Sequence, residues 1–103
     1  MSLPEQGEIW WAEAEDKRRP VLVVTRSEAV PVLNGIVVAP VTRTLRDIPT
    51  EIPLGEAEGL PGESAASFDN LQRIGRSSLV TRAGDLGQRR GEICRALEAL
   101  ADC

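Results

Sequence analysis

Two short apolar runs constrain this chain most: residues 19–25 read "RPVLVVT" and residues 36–42 read "IVVAPVT". β-Branched side chains are stiff at χ1 and pack well on a pleated surface, so both runs read as buried strands. Pro40 has no N–H to give to a ladder, which marks the outer end of the second strand as an edge or a bulge. Between the runs, "RSEAVPVLNG" reads as a linker with one helical turn after Ser27 and a turn at Asn34-Gly35.

Shorter strands flank this pair. "GEIWWAEA" (7–14) reads as a first strand, and side-chain alternation sends Trp10 and Trp11 to opposite faces. One indole fills a core while the other is half-exposed or covered by a partner; alternation does not say which. "TEIPL" is a short alternating strand, "GEAEGLPGE" a flexible acidic stretch, and "SAASFDNLQRIG" (64–75) a strand with a turn or bulge near Asp69-Asn70. "SSLVTRAGDLG" reads as irregular or as a short strand. Beyond Asp85, a candidate cap, Leu86, Ile93, Leu97 and Leu100 share one helical face, and Gly91 weakens that helix without breaking it. The expected fold is one domain over residues 1–103, mainly β with a C-terminal α-helix, as a small half-open barrel that the helix closes.

Composition excludes much of the usual chemistry. The chain has no His and no Tyr, so the commonest general acid–base group and the imidazole ligands of catalytic zinc sites are missing. Cys94 and Cys103 have neither disulfide-framework nor metal-ligand spacing, and Cys94 reads as a small buried hydrophobe. No apolar stretch approaches a membrane span and no signal peptide opens the chain, so a cytoplasmic protein is expected. The net charge of −4 is unevenly spread: residues 1–16 carry five acids and no base, 17–46 six bases and one acid, 47–69 six acids and no base, and 70–103 six arginines against four acids. Eleven of the twelve cations are Arg, the side chain that grips phosphate in two places. Overall acidity argues against non-specific duplex binding but not against a local phosphate site.

One reaction suits a chain limited to Arg, hydroxyls and carboxylates. RNA carries its own nucleophile, the 2′-hydroxyl beside the scissile phosphate, and Arg can aim donors at the developing oxyanions without a metal or any other cofactor. The basic run "KRRP" at the mouth of a buried strand is where such a clamp would sit.

The motifs "GEIWWAE", "RRPVLVVTR", "IVVAPVTRT" and "SAASFDNLQRI", in this order and ending in one amphipathic helix, resemble the MazF/PemK family of toxin–antitoxin ribonucleases from residue 7 to about 100. The resemblance implies an SH3-like half-open β-barrel of the CcdB/MazF type and a cytoplasmic homodimer. It implies metal-independent cutting of single-stranded RNA to 2′,3′-cyclic phosphate and 5′-hydroxyl ends. The family's catalytic Arg, before the Pro of the "RPVLVV" strand, falls on Arg19; its Thr, closing "PVT", on Thr42; and an Asp that some members use on Asp69, the best-placed candidate for a catalytic base or a base-reading group. Lys17 and Arg18 become candidate RNA-backbone contacts and Asn70 a candidate reader of a base edge. Arg43 and Arg46 either contact phosphates or keep their loop soluble. Ser67 stands where some members carry an Arg. The acid that some members place between the first two strands has no clean counterpart, with Glu13, Glu15 and Asp16 available. The implied partner is a MazE-like antitoxin with an acidic disordered tail. From the charge pattern alone, the acidic loop 56–63 is expected to shield part of the same groove. Two other readings of the fold are a CcdB-type toxin that inhibits DNA gyrase and an inactive SH3-like interaction module.

Overall fold

The computed structural model describes residues 3–14 and 16–101; Glu15 and Cys103 lie outside the described residues. The elements are β1 (Glu8–Ala14), β2 (Lys17–Val23), β3 (Gly35–Thr42), β4 (Glu51–Leu54), β5 (Ser64–Ser67), β6 (Gln72–Gly75), β7 (Leu79–Asp85) and α1 (Glu92–Leu100). The strands run in the order β4-β5-β3-β2-β1-β7, with β6 also paired to β3, and every pairing is antiparallel. The sheet is mainly β with one C-terminal helix, as the apolar runs require, and no helix among the described residues is long and apolar enough to cross a membrane.

The two runs are continuous in apolar residues because both faces of the sheet are covered. Ile9, Leu22, Ala39, Ile52 and Phe68 join one core beneath Ile93 and Ala96 of α1. Trp10, Val21, Val23, Ile36 and Val38 point the other way and pack with Val30 and Leu79. Period-two alternation therefore divides each run between two cores. Trp10 is the buried indole, 8% exposed, and its Nε1–H donates to Glu8 Oε1 at 2.9 Å. Trp11 is partly buried against the helix-side core.

β3 changes partner at Pro40, the irregular outer end that its missing N–H suggested: Gly35 to Val38 face β6 on one side, Val41 and Thr42 face β5, and Pro40, opposite Val21, is the last residue of β3 paired to β2. Several expectations are corrected. The segment before β3 packs as hydrogen-bonded turns with Ala29 and Val30 buried. β7 is a full seven-residue edge strand, hidden in the sequence because only Leu79 of it is buried and backbone pairing to β1 defines it. The helix starts later than Asp85, which ends β7 and pairs with Arg82. Gly87, at φ +57°, opens a 3-10 turn that runs to Gly91, and α1 follows. Cys94 is exposed, not buried, because it lies beside rather than on the stripe through Ile93 and Ala96.

The acidic stretch is ordered by three devices. Glu56–Glu58 form a 3-10 turn in which Gly55 N–H donates to Glu58 Oε1 at 2.7 Å. Gly59, at φ +89°, and Gly84 of β7 let two backbones touch: a Cβ on Gly59 would lie 2.0 Å from the Ala83 carbonyl oxygen, and one on Gly84 would lie 2.1 Å from that of Glu58. Arg89 then clasps the segment, donating from Nη1 to Glu58 Oε2 at 3.1 Å and from Nη2 to the Pro53 carbonyl at 2.7 Å. Arg89 Nε also donates to Glu92 Oε2 at 2.8 Å. Those bonds hold the Glu92 carboxyl below the ordinary carboxylate range, against a burial effect of opposite sign. The loop from Glu58 thus spans the gap between the two ends of the curled sheet.

Candidate active site

Curling the sheet brings Trp11 of β1, Arg19 and Pro20 of β2, and Pro40, Val41 and Thr42 of β3 to one cavity of about 440 Å³. Arg43, Leu60, Pro61 and Ser64 complete its lining. The register explains the grouping, since Trp11 opposes Pro20 across one ladder and Thr42 opposes Ala65 across another. Leu60 and Pro61 arrive on the loop that the Gly59–Gly84 seam fixes against β7.

Among the described residues, Arg19 offers an unpaired guanidinium to the cavity. Its backbone is in β2, where it pairs with Ala12, and Pro20 immediately after it restricts the local chain. Its side chain is exposed, and among the described residues no carboxylate reaches it within ion-pair distance, so Asp16 does not neutralise it. Thr42 is half-buried; its Oγ1 accepts the Thr44 N–H at 3.1 Å, which leaves its own hydroxyl proton to donate. Among the described residues the cavity lining holds two guanidinium side chains and no carboxylate, a balance that favours an anion.

A second polar hollow has the opposite balance. About 260 Å³ in volume, it is lined by Glu5, Glu8 and Asp85 against Arg82 and Arg90. Arg82 is already engaged by Glu8 at 2.9 Å and by Asp85. Hydrogen bonding to Glu8 pushes the Arg82 guanidinium above its usual pKa. A phosphate there would meet three carboxylates, so the cavity at Arg19 is the better anion site.

The remaining sequence candidates fall in different places. Arg43 joins Arg19 and Thr42 in the cavity. Lys17 and Arg18 are exposed at the start of β2, with Arg18 Nε 3.7 Å from Glu13 Oε2. Arg46 lies outside the cavity, and its backbone N–H donates to Glu51 Oε1 at 2.9 Å. Asp69 and Asn70 occupy a 3-10 turn after β5 and line none of it. Asp69 Oδ2 accepts the Thr50 hydroxyl at 2.6 Å, and Asn70 Nδ2 donates to Ser67 Oγ at 2.9 Å. Glu13 shares a smaller hollow of about 130 Å³ with Arg19, Val21 and Pro40. Glu58, expected in a loop shielding the groove, is turned to Arg89 instead. Sequence reasoning left open which tryptophan faces outward, and it did not anticipate Leu60, Pro61 and Ser64. A 3-10 turn followed by a left-handed Gly gives no apolar periodicity from which their position could be read.

Known proteins share this fold. Over residues 5–101 the chain matches the family model for the "PemK-like, MazF-like toxin of type II toxin-antitoxin system". It is 41% identical over 105 residues to the probable endoribonuclease MazF5 of Mycobacterium tuberculosis, an alignment covering 99% of this chain and 96% of that protein. The solved structure of the Mycobacterium tuberculosis toxin MazF-mt6 superposes with a TM-score of 0.83 at 33% identity, over 92% of this chain and 96% of that one. A MazE-MazF structure from Deinococcus radiodurans shares the fold, with a TM-score of 0.77 at 22% identity over 97% of this chain and 96% of that one. The half-open barrel, the Arg19–Thr42 cavity and a match across nearly the whole chain together show that this protein belongs to the PemK-like, MazF-like toxins of type II toxin–antitoxin systems.

Proposed function

We propose that this chain is the endoribonuclease toxin of such a pair, cutting single-stranded RNA at the Arg19–Thr42 cavity. The observation that carries the reading is that Arg19 and Thr42, far apart in sequence, line one cavity to which, among the described residues, no carboxylate contributes. The 2′-hydroxyl attacks the adjacent phosphorus, the bond from phosphorus to the 5′-oxygen breaks, and the products are a 2′,3′-cyclic phosphate and a 5′-hydroxyl. The proton lost by the 2′-oxygen passes to a base, and the departing 5′-oxygen gains one. Arg19 donates to the non-bridging oxygens as their charge grows, and the Thr42 hydroxyl adds a second donor. Glu13, beside Arg19 in the smaller hollow, is the acid placed to exchange a proton. Arg43, Lys17, Arg18 and Arg46 hold the RNA backbone on either side, while Asp69 and Asn70 read bases farther along the strand.

The toxin acts in the cytoplasm as a homodimer, with an acidic antitoxin segment occupying the RNA groove. The test is cleavage of a long single-stranded RNA by purified protein in EDTA, with the ends mapped by primer extension. Discrete cuts bearing 5′-hydroxyl ends are expected, with a loss on the order of 100-fold or more in Arg19→Ala. Wild-type cutting by Arg19→Ala would refute the site, and no cutting by the folded wild-type protein would refute the activity.

A further inference from the structure

Only three side chains in this protein are Phe, Tyr or Trp: Trp10, Trp11 and Phe68. Trp10 is 8% exposed with its indole N–H satisfied by Glu8, and Phe68 is fully buried. Trp11 is left as the one aromatic face a ligand can reach, and it stands in the lining shared by Arg19 and Thr42. Single-stranded RNA is held by stacking unpaired bases on aromatic planes, in addition to gripping phosphates.

We infer that Trp11 is the stacking platform for a nucleobase flanking the phosphate that Arg19 clamps, an assignment that rests on the endoribonuclease reading above. Trp11 lies across from Pro20 and Arg19 across from Ala12, so alternation starts the indole and the guanidinium on opposite faces of neighbouring strands. The long Arg19 side chain still reaches the cavity that Trp11 lines. Part of the ring packs on the helix-side core, which orients the indole before RNA arrives and reduces the entropy lost on binding. Pro20, Pro40, Leu60 and Pro61 supply apolar wall around it, suited to the flat body of a base and not to a phosphate alone. Stacking accepts every base, so Trp11 supplies affinity and alignment while polar groups elsewhere set sequence preference.

The experiment titrates the intact protein with a 2′-O-methyl RNA oligonucleotide spanning the mapped cut, which lacks the nucleophile, and follows tryptophan fluorescence. Wild type should show saturable quenching, and Trp11→Phe, in which only buried Trp10 emits, should lose the quenching but keep most of the affinity. Trp11→Leu, which preserves apolar packing, should bind roughly 5- to 150-fold more weakly and raise KM more than it lowers kcat. Absence of quenching in wild type overturns the inference, as does Trp11→Leu binding within about twofold of wild type. A changed oligomeric mass in Trp11→Leu with unchanged binding also overturns it and assigns the ring to a subunit interface. Failure of the cleavage reading is seen separately: it shows in the cutting assay with Arg19→Ala, whereas stacking is judged on an oligonucleotide that cannot be cut.

Discussion

Replacing Gly59 by Ala tests whether the loop beside the cavity is held by contact between two backbones. The residue sits at φ +89°, where a side chain costs about 1 kcal/mol. Its Cβ would lie 2.0 Å from the Ala83 carbonyl oxygen and 2.7 Å from the carbonyl carbon, whereas real Cβ atoms essentially never come within 3.0 Å of another heavy atom. The struck atoms are backbone in β7 and cannot rotate away, so the loop must retreat by about 1 Å. That retreat draws on the burial of Leu60, 3% exposed, for which complete loss would be about 2 kcal/mol. It also strains the Glu58–Arg89 clasp. Together these terms amount to about 3 kcal/mol, a fall of roughly 10–20 °C in Tm for a domain of this size. Gly62 is the control in the same loop, because a Cβ there meets nothing within 4 Å, and Gly62→Ala should stay within about 0.5 kcal/mol of wild type. The measurement is thermal unfolding by circular dichroism at matched protein concentration, because any self-association makes Tm depend on concentration. Equal Tm values for the two variants would refute the seam as a structural element.

Two further predictions concern the helix end of the molecule. Arg89→Met should destabilise the protein by about 2 kcal/mol at neutral pH, because Glu58, with a side chain 10% exposed, loses its charged partner; the value is below that of a fully buried pair because Arg89 itself is 36% exposed. The same variant should alter the acid limb of a pH–stability curve: the Glu92 pKa is lowered in the folded state, so its contribution is present above about pH 4.3 and is lost as pH falls through the folded value. Urea unfolding at a series of pH values should therefore show a shallower acid loss in Arg89→Met, and an unchanged slope would count against the clasp. Cys94 should react with a thiol reagent in the native state of a Cys103→Ser background, and Cys94→Ser should leave stability within about 0.5 kcal/mol; protection of the thiol until unfolding would contradict its exposed position.

Legibility differed from element to element, for physical reasons. β2 and β3 were readable because strands covered on both faces need unbroken apolar β-branched runs, and that composition is local. β7 was not, because an edge strand with one buried side chain is held mainly by its backbone pairing to β1. That Arg19 falls in β2 just before Pro20 and that Thr42 closes β3 were legible in "RPVLVV" and "PVT". Their meeting in one cavity depends on β1, β2, β3 and β5 lying side by side, which no local pattern expresses. Asp69 was legible as a turn residue, whereas its bond to Thr50 depends on β4 pairing with β5.

The amino-acid sequence by itself determined the fold class, the absence of imidazole chemistry and the supply of guanidinium groups, since all three follow from residue type and spacing. Only the tertiary structure decided which tryptophan faces the cavity, that Glu58 turns to Arg89 rather than to the groove, and that Leu60 and Pro61 wall the site. Alternation sends neighbouring side chains to opposite faces without saying what covers either face. That depends on how the ends of a curled sheet meet, and here they meet where two glycines allow backbone to touch backbone.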